Sequence, residues 1–487
     1  MATAAGAVLH MLRSALAAAW FGLAALPVLA QPLGMDDARH LLNRTGFAAN
    51  PPEITEFSRL TRTAAVNRLL EWTHRAPVVP PPDWTQAAYQ RPPQLALLSD
   101  AERKDYQRQL IGQGRDLKAW WLAEMLTTPS PLTEKMVLFW HNHFTSSLRK
   151  VRMPLLMYRQ HMTLRRHALG NFREMLQAMA RDPAMLIYLD GVASRKGQPN
   201  ENFARELMEL FTLGEGHFGE QDVKEAARAF TGWSIDRDSG GFMLRPALHD
   251  DGIKTVLGVT GAHDGAAVIE ILLARPETAE LIITKLWREF VSAEPDKGEV
   301  RRIAAIFRAG GYDIRAALRE LLTADAFYAP RHRSNLVKSP VDIVVGTLRQ
   351  FRMTIADPLP YALTVGRLGQ DLFAPPNVKG WPGGENWINA TTLLSRRQFL
   401  ETVFRNSEPG MRQTMAMVPA ADDLRGRQQR AQEGLQFDEA AWFAQFRGVT
   451  GYDWRRVVMA MPPLAAVSGD DAAALRLAVQ DAAYQLK

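Results

Sequence analysis

Two imidazoles stand one residue apart in the apolar run VLFWHNHF, as His141 and His143. Imidazole binds divalent transition metals and shuttles protons near neutral pH. On a continuous helix, positions i and i+2 point about 200° apart, so the two rings cannot serve one ion. A shared ion requires the helix to stop near Trp140 and leave His-Asn-His extended, and Thr145, Ser146 and Ser147 just downstream suit such a stop. Otherwise one ring is a ligand and the other supports it. The plain alternative is that both are buried in an aromatic core and satisfied by hydrogen bonds.

A second set of candidates lies in PNENFARELMELFTLG. At 100° per residue, Glu201, Asn202, Arg205, Glu206 and Glu209 occupy one arc of about 140°, and apolar side chains fill the rest. So broad an apolar arc implies a deeply seated helix, whose charged stripe must face a cavity or a paired partner. Glu201 and Glu206 are the candidates for general acid and base, and Glu209 is a candidate metal ligand. Arg205 either positions an anionic substrate or holds the carboxylates. The competing reading is a solvated face with i,i+4 pairs, Glu201 to Arg205 and Arg205 to Glu209, each worth about 0.3–0.5 kcal/mol. His249 and Asp250 in ALHDDG offer nitrogen and oxygen ligands to a divalent ion, or simply build a turn. His217 is a minor ligand candidate. In PPNVKGWPGG and the residues after it, Lys379, Trp381 and Trp387 suit stacking on a sugar ring or plugging an apolar gap. Thiolate and iron–sulfur chemistry are excluded because the chain has no cysteine. No G-x-S-x-G, P-loop or dinucleotide fingerprint occurs.

The elements that must position these residues are mostly helices. From about Ser99 to Phe230 one segment after another has the 3.6 period, with Pro131 at a first turn, Asn200 at an N-cap and Gly214 after a last turn. A proline-rich connector, APVVPPPDWTQAAYQRPP, precedes them. From Trp233 the pattern changes. FMLRP and KTVLG read as the two strands of a hairpin turned at His-Asp-Asp-Gly, and helices resume with Asp264 as an N-cap. The expected class is therefore mainly α, a multi-helix globular fold with a small inserted β-hairpin near residues 233–260. Residues 31–406 form the main helical domain, 407–434 a polar linker and 435–487 a short C-terminal helical segment. The first thirty residues carry Arg13, a short apolar run and small residues at Val28 and Ala30, as a cleaved signal peptide does. A periplasmic or secreted location follows. The net charge is +6 and the pI near 9.5, yet no long basic run or nucleic-acid motif accompanies them. Weak attraction to anionic surfaces is expected, and nucleic acid is not an expected partner.

Together, FWHNHF, PNENFARELMELFTLG, EAARAFTGW, HDDGIKTVLG, KSP at 338–340 and PPNVKGWPGGENWI resemble the large bacterial family catalogued as domain of unknown function 1800. The resemblance runs from about Asp36 to Phe404. It implies export and a shared fold, and it supplies no catalytic residues. It also points to an exported partner from the family catalogued as domain of unknown function 1501, whose genes are frequent neighbours. From the residue types, the expectation is a metal-dependent hydrolase or oxidoreductase acting on an envelope or extracellular substrate. Its divalent ion would sit between His141 or His143 and the carboxylates. The alternative is a non-catalytic envelope scaffold or binding protein.

Overall fold

The computed structural model describes residues 31–406, 426, 434–447, 453–469 and 471–487. The expected signal segment at 1–30 and most of the expected linker at 407–434 fall outside the described residues. The helices begin and end where side chains can take over the free backbone groups of a helix terminus. Helix α1 (Asp100–Thr127) starts in a capping box, with Ser99 and Glu102 bonding each other's backbone N–H. Helix α2 (Pro131–His143) has proline at its first turn, where a missing N–H costs nothing. Helix α3 (Pro154–His167) packs against both. A buried triad ties the three together. Arg165 on α3 pairs with Glu124 on α1 at 2.9 Å and with Glu134 on α2, and Glu134 also accepts from the Trp121 indole at 3.1 Å. Burial pushes the Glu134 carboxyl up to about 7 despite Arg165.

Helix α4 (Glu201–Glu206) is capped by Asn200, whose side chain accepts from the Asn202 N–H. It does not continue as the regular α-helix that its spacing predicts. Residues Leu207–Thr212 form a π-turn, and Gly214 closes it with φ +85°. The wider turn is held by side-chain donors, one of its own and one from the later helix Pro276–Phe290 once that helix packs on it. The Thr212 hydroxyl donates to the Leu207 carbonyl at 2.7 Å, and Lys285 donates to the Leu210 carbonyl at 2.8 Å. Helix α5 (Glu220–Ala229) then packs back on α4.

The excursion that follows is two hairpins rather than one. Strand β1 (Trp233–Ile235) pairs with β2 (Phe242–Leu244), and β3 (Lys254–Val256) with β4 (Val259–Gly261), both antiparallel. FMLRP therefore pairs backward onto WSI, and HDDG joins the hairpins instead of turning one. The second turn is Leu257-Gly258, both residues at positive φ as a two-residue loop of this hand requires. Leucine there hides the turn from composition.

Helices resume at Asp264, which caps the next one by accepting from the Ala267 N–H. Helix α6 (Pro276–Phe290) and helix α7 (Pro340–Gln350) run through the core. Helix α8 (Ala390–Asn406) packs against the last long helix, α9 (Asp471–Gln480). The C-terminal segment joins the same core. The Trp442 indole donates to the Gln350 carbonyl at 3.0 Å, the Tyr484 and Thr347 hydroxyls bond at 2.8 Å, and Lys487 reaches Asp342 at 2.7 Å. No described helix is long and apolar enough to cross a membrane.

Candidate functional site

Helix α2 does not stop at Trp140. Its ladder runs on to His143, and the Phe144 N–H still donates to the Trp140 carbonyl at 2.7 Å. The extended His-Asn-His arrangement is therefore absent, and the two rings leave the helix on different sides.

His141 enters an aromatic chamber. Its ring lies nearly parallel to Trp121 (centroids 5.4 Å, 29°) and to Trp381 (5.9 Å, 27°), with Phe373 edge-on at 5.3 Å. His161, from α3, shares Trp121 at 4.6 Å and Phe373 at 5.5 Å. Both histidines are fully buried, and neither ring nitrogen of either one meets a hydrogen-bond partner. Burial holds the His141 imidazole down to about 4 and that of His161 well below its ordinary value. Both rings are neutral at pH 7.

Asn142, between the two histidines, clamps the loop that roofs this chamber. Its side-chain oxygen accepts from the Trp381 N–H at 2.6 Å. Trp381 and Trp387 are buried, so they plug an apolar gap. His143 points the other way, among Trp140, Phe144, Phe172 and Phe211. Its Nδ1 lies 3.0 Å from the Lys285 ammonium, the same group that donates to Leu210. Burial, and then the nearby Arg288, lower Lys285 to about 8.

The carboxylates divide into separate groups. Arg205 pairs with Glu220 at 2.7 Å and Glu201 at 3.3 Å. It does not pair with Glu209, because the π-turn breaks the i,i+4 relation. Glu209 instead lies 3.9 Å from Lys379 of the clamped loop, and Lys379 also reaches Glu215 at 3.3 Å. Glu206 is half-buried, and burial followed by the Glu209 charge raises its carboxyl above the usual range. Asp250 accepts a fork from Arg228, at 2.9 and 3.2 Å, which holds its carboxyl down at about 2. His249 Nδ1 bonds the Thr231 carbonyl at 2.9 Å. His249 and Asp250 thus tie the inter-hairpin turn to α5. His217 is exposed on the loop after Gly216.

Three motifs far apart in sequence meet here: the end of α2, the π-turn and the loop at 377–381. Among the described residues no ion pair or hydrogen bond joins His141 or His143 to Glu201, Glu206, Glu209 or Asp250, and no three His, Asp or Glu side chains gather so as to hold a metal ion. Sequence reasoning missed His161 and Lys285. Each had the same signal, a polar residue on the apolar face of a helix: Lys285 follows Ile282 and Ile283 and precedes Leu286 and Trp287, all buried.

The architecture defines a mainly α-helical globular protein with small β-hairpins and a motif cluster at the end of α2. The chain belongs to the family described as protein of unknown function (DUF1800), whose model matches residues 40–483. That match takes in the C-terminal helices beyond Phe404. No curated protein and no solved structure matches the chain.

Proposed function

We propose that the protein is an exported hydrolase whose acid–base pair is Glu206 and Glu209, acting on an envelope or extracellular substrate. The observation that carries this reading is the raised carboxyl of Glu206, half-buried beside Glu209 where the three motifs meet. A carboxyl that holds its proton more tightly than usual can hand it to a leaving group. A neighbouring ionised carboxylate can take one from water. Lys379 stands 3.9 Å from Glu209. Arg205, engaged by Glu220 and Glu201, positions α4 in this reading and does not bind an anion. Water activation is assigned to Glu209 in this reading, since among the described residues no three ligating side chains gather to hold a metal ion.

The test is a panel of chromogenic esters, peptides and glycosides assayed with the wild type, E206Q and E209Q. Turnover by the wild type that falls by about 10²–10⁴-fold in E206Q supports the reading. Wild-type rates no higher than those of E206Q on every substrate class overturn it.

A separate observation favours a second reading, a binding protein of the cell envelope. Met243, Leu244 and Leu248 are exposed by 36, 47 and 37% on and just after the first hairpin, with Pro246 and Ala247 exposed between them. Contiguous exposed apolar surface marks interaction sites. Co-purification with an exported protein of the 1501 family, lost in L244E, separates this role from hydrolysis.

A further inference from the structure

Four arginines from separate parts of the chain line one small cavity at the end of α3. Arg165 and Arg166 come from the last turn of that helix, Arg315 from the helix Ile314–Thr323, and Arg75 from the segment that leads into the proline-rich connector. Thr73 and His74 share this lining, and no Asp or Glu takes part in it. Two of the four arginines are spent on the fold. Arg165 is buried, pairs with Glu124 and Glu134, and donates from its Nε to the Arg75 carbonyl at 3.0 Å. Arg315 donates to the Leu70 carbonyl at 3.2 Å and to the Thr73 hydroxyl at 3.1 Å. These bonds pin the backbone on which Arg75 stands. The other two, Arg75 and Arg166, are exposed, and among the described residues neither guanidinium has an ion pair or a hydrogen bond. Both act at one place. Burial, and then the Arg166 and Arg75 charges, hold the His167 imidazole below its ordinary value against the pull of Glu174. Arg166 also complements the C-terminal carbonyls of α3, but Arg75 is not on a helix and has no such end to serve.

Two open guanidinium forks on one cavity call for an anion, and their geometry selects its class. A carboxylate has two oxygens, which a single fork occupies. A tetrahedral phosphoryl group offers an edge to each of two forks, and its second charge matches the second cation. The cavity volume of about 10 Å³ has room for about one water-sized group. It therefore seats one oxygen of the anion and leaves the others at the mouth, beside the exposed arginines. We propose that Arg75 and Arg166 form a binding site for a phosphate dianion, free or as the terminal group of an ester, on a backbone fixed by Arg165 and Arg315. The site is separate from Glu206 and Glu209 and does not depend on their role.

The experiment titrates the full chain by calorimetry with inorganic phosphate, glycerol 3-phosphate, chloride and acetate at matched ionic strength, beside R75Q, R166Q and R237Q. Arg237 is an exposed arginine outside this cavity and serves as the control. The expected result is one saturable phosphate site per chain, at least about tenfold weaker in R75Q and in R166Q and unchanged in R237Q, since each of the first two removes a charge-assisted fork. Chloride and acetate should bind at least about tenfold more weakly than phosphate. Glycerol 3-phosphate bound as tightly as phosphate marks the end of a larger molecule as the ligand, and weaker binding marks the free ion. Far-UV circular dichroism reports whether the variants fold. Should either fail, R75K and R166K, which keep the charge and remove the fork, take their place. No saturable phosphate binding, chloride or acetate bound as tightly, or the same affinity in the cavity variants as in R237Q overturns the proposal.

Discussion

A β-carbon built on Gly380 would stand 2.2 Å from the Asn142 side-chain oxygen and 2.7 Å from its carbonyl, on a backbone with φ +86°. Both the space and the dihedral require glycine there. G380A is expected to lose about 2–4 kcal/mol in urea unfolding, by strain plus the loss of the Asn142 clamp. A loss under about 0.5 kcal/mol, the size of an ordinary surface change, would show that the clamp is not tight. At this scale the sequence was partly legible. Glycine among prolines announced a constrained turn, but nothing local could name Asn142 as its partner. The same holds for the histidines. Helical geometry alone separated His141 from His143, whereas the packing of His141 and His161 on the same Trp121 and Phe373 rings needed α2 and α3 brought together.

The π-turn at Leu207–Thr212 is the element on which the carboxylates depend. Its residues are ordinary helix formers, so the stretch reads as a uniform α-helix at 100° per residue. The wider ring persists because Thr212 and Lys285 bond the carbonyls of Leu207 and Leu210. K285M keeps the bulk and removes the donor. It should cost about 1–3 kcal/mol and speed hydrogen exchange of the amides at 207–214. Unchanged protection there would mean the turn does not rest on the lysine. The hairpins teach a related lesson. A Leu-Gly turn and a backward pairing of FML onto WSI are invisible to patterns that expect Asn-Gly or Asp-Gly between strands.

For the whole molecule, Asp342 is the point where distant parts meet. It accepts from Lys135 on α2 and Lys487 at the C-terminal end, each at 2.7 Å, and its own helix is capped through Ser339. The two ammonium groups hold its carboxyl well below the ordinary range, against the effect of burial. The folded value lies below the unfolded one of about 3.9, so its contribution is complete above that pH and is lost as pH falls further. D342N leaves the two buried ammonium groups only Glu289, at 3.3 and 3.9 Å, and should cost about 3–5 kcal/mol at pH 7, with the difference from wild type shrinking below about pH 4. Equal midpoints for D342N and wild type at pH 7 would show the C-terminal segment docks without this network. Read by itself, the sequence determined the class of the protein, its family and most helix boundaries. Period and caps at Asn200 and Asp264 act within one or two turns, and a linear pattern records them. Only the tertiary structure decided which polar groups meet. Asn142 with Trp381, His143 with Lys285, and Asp342 with Lys487 are partners 239, 142 and 145 residues apart in the chain. Burial chooses such partners by excluding water, a force that leaves little mark on any single stretch of sequence.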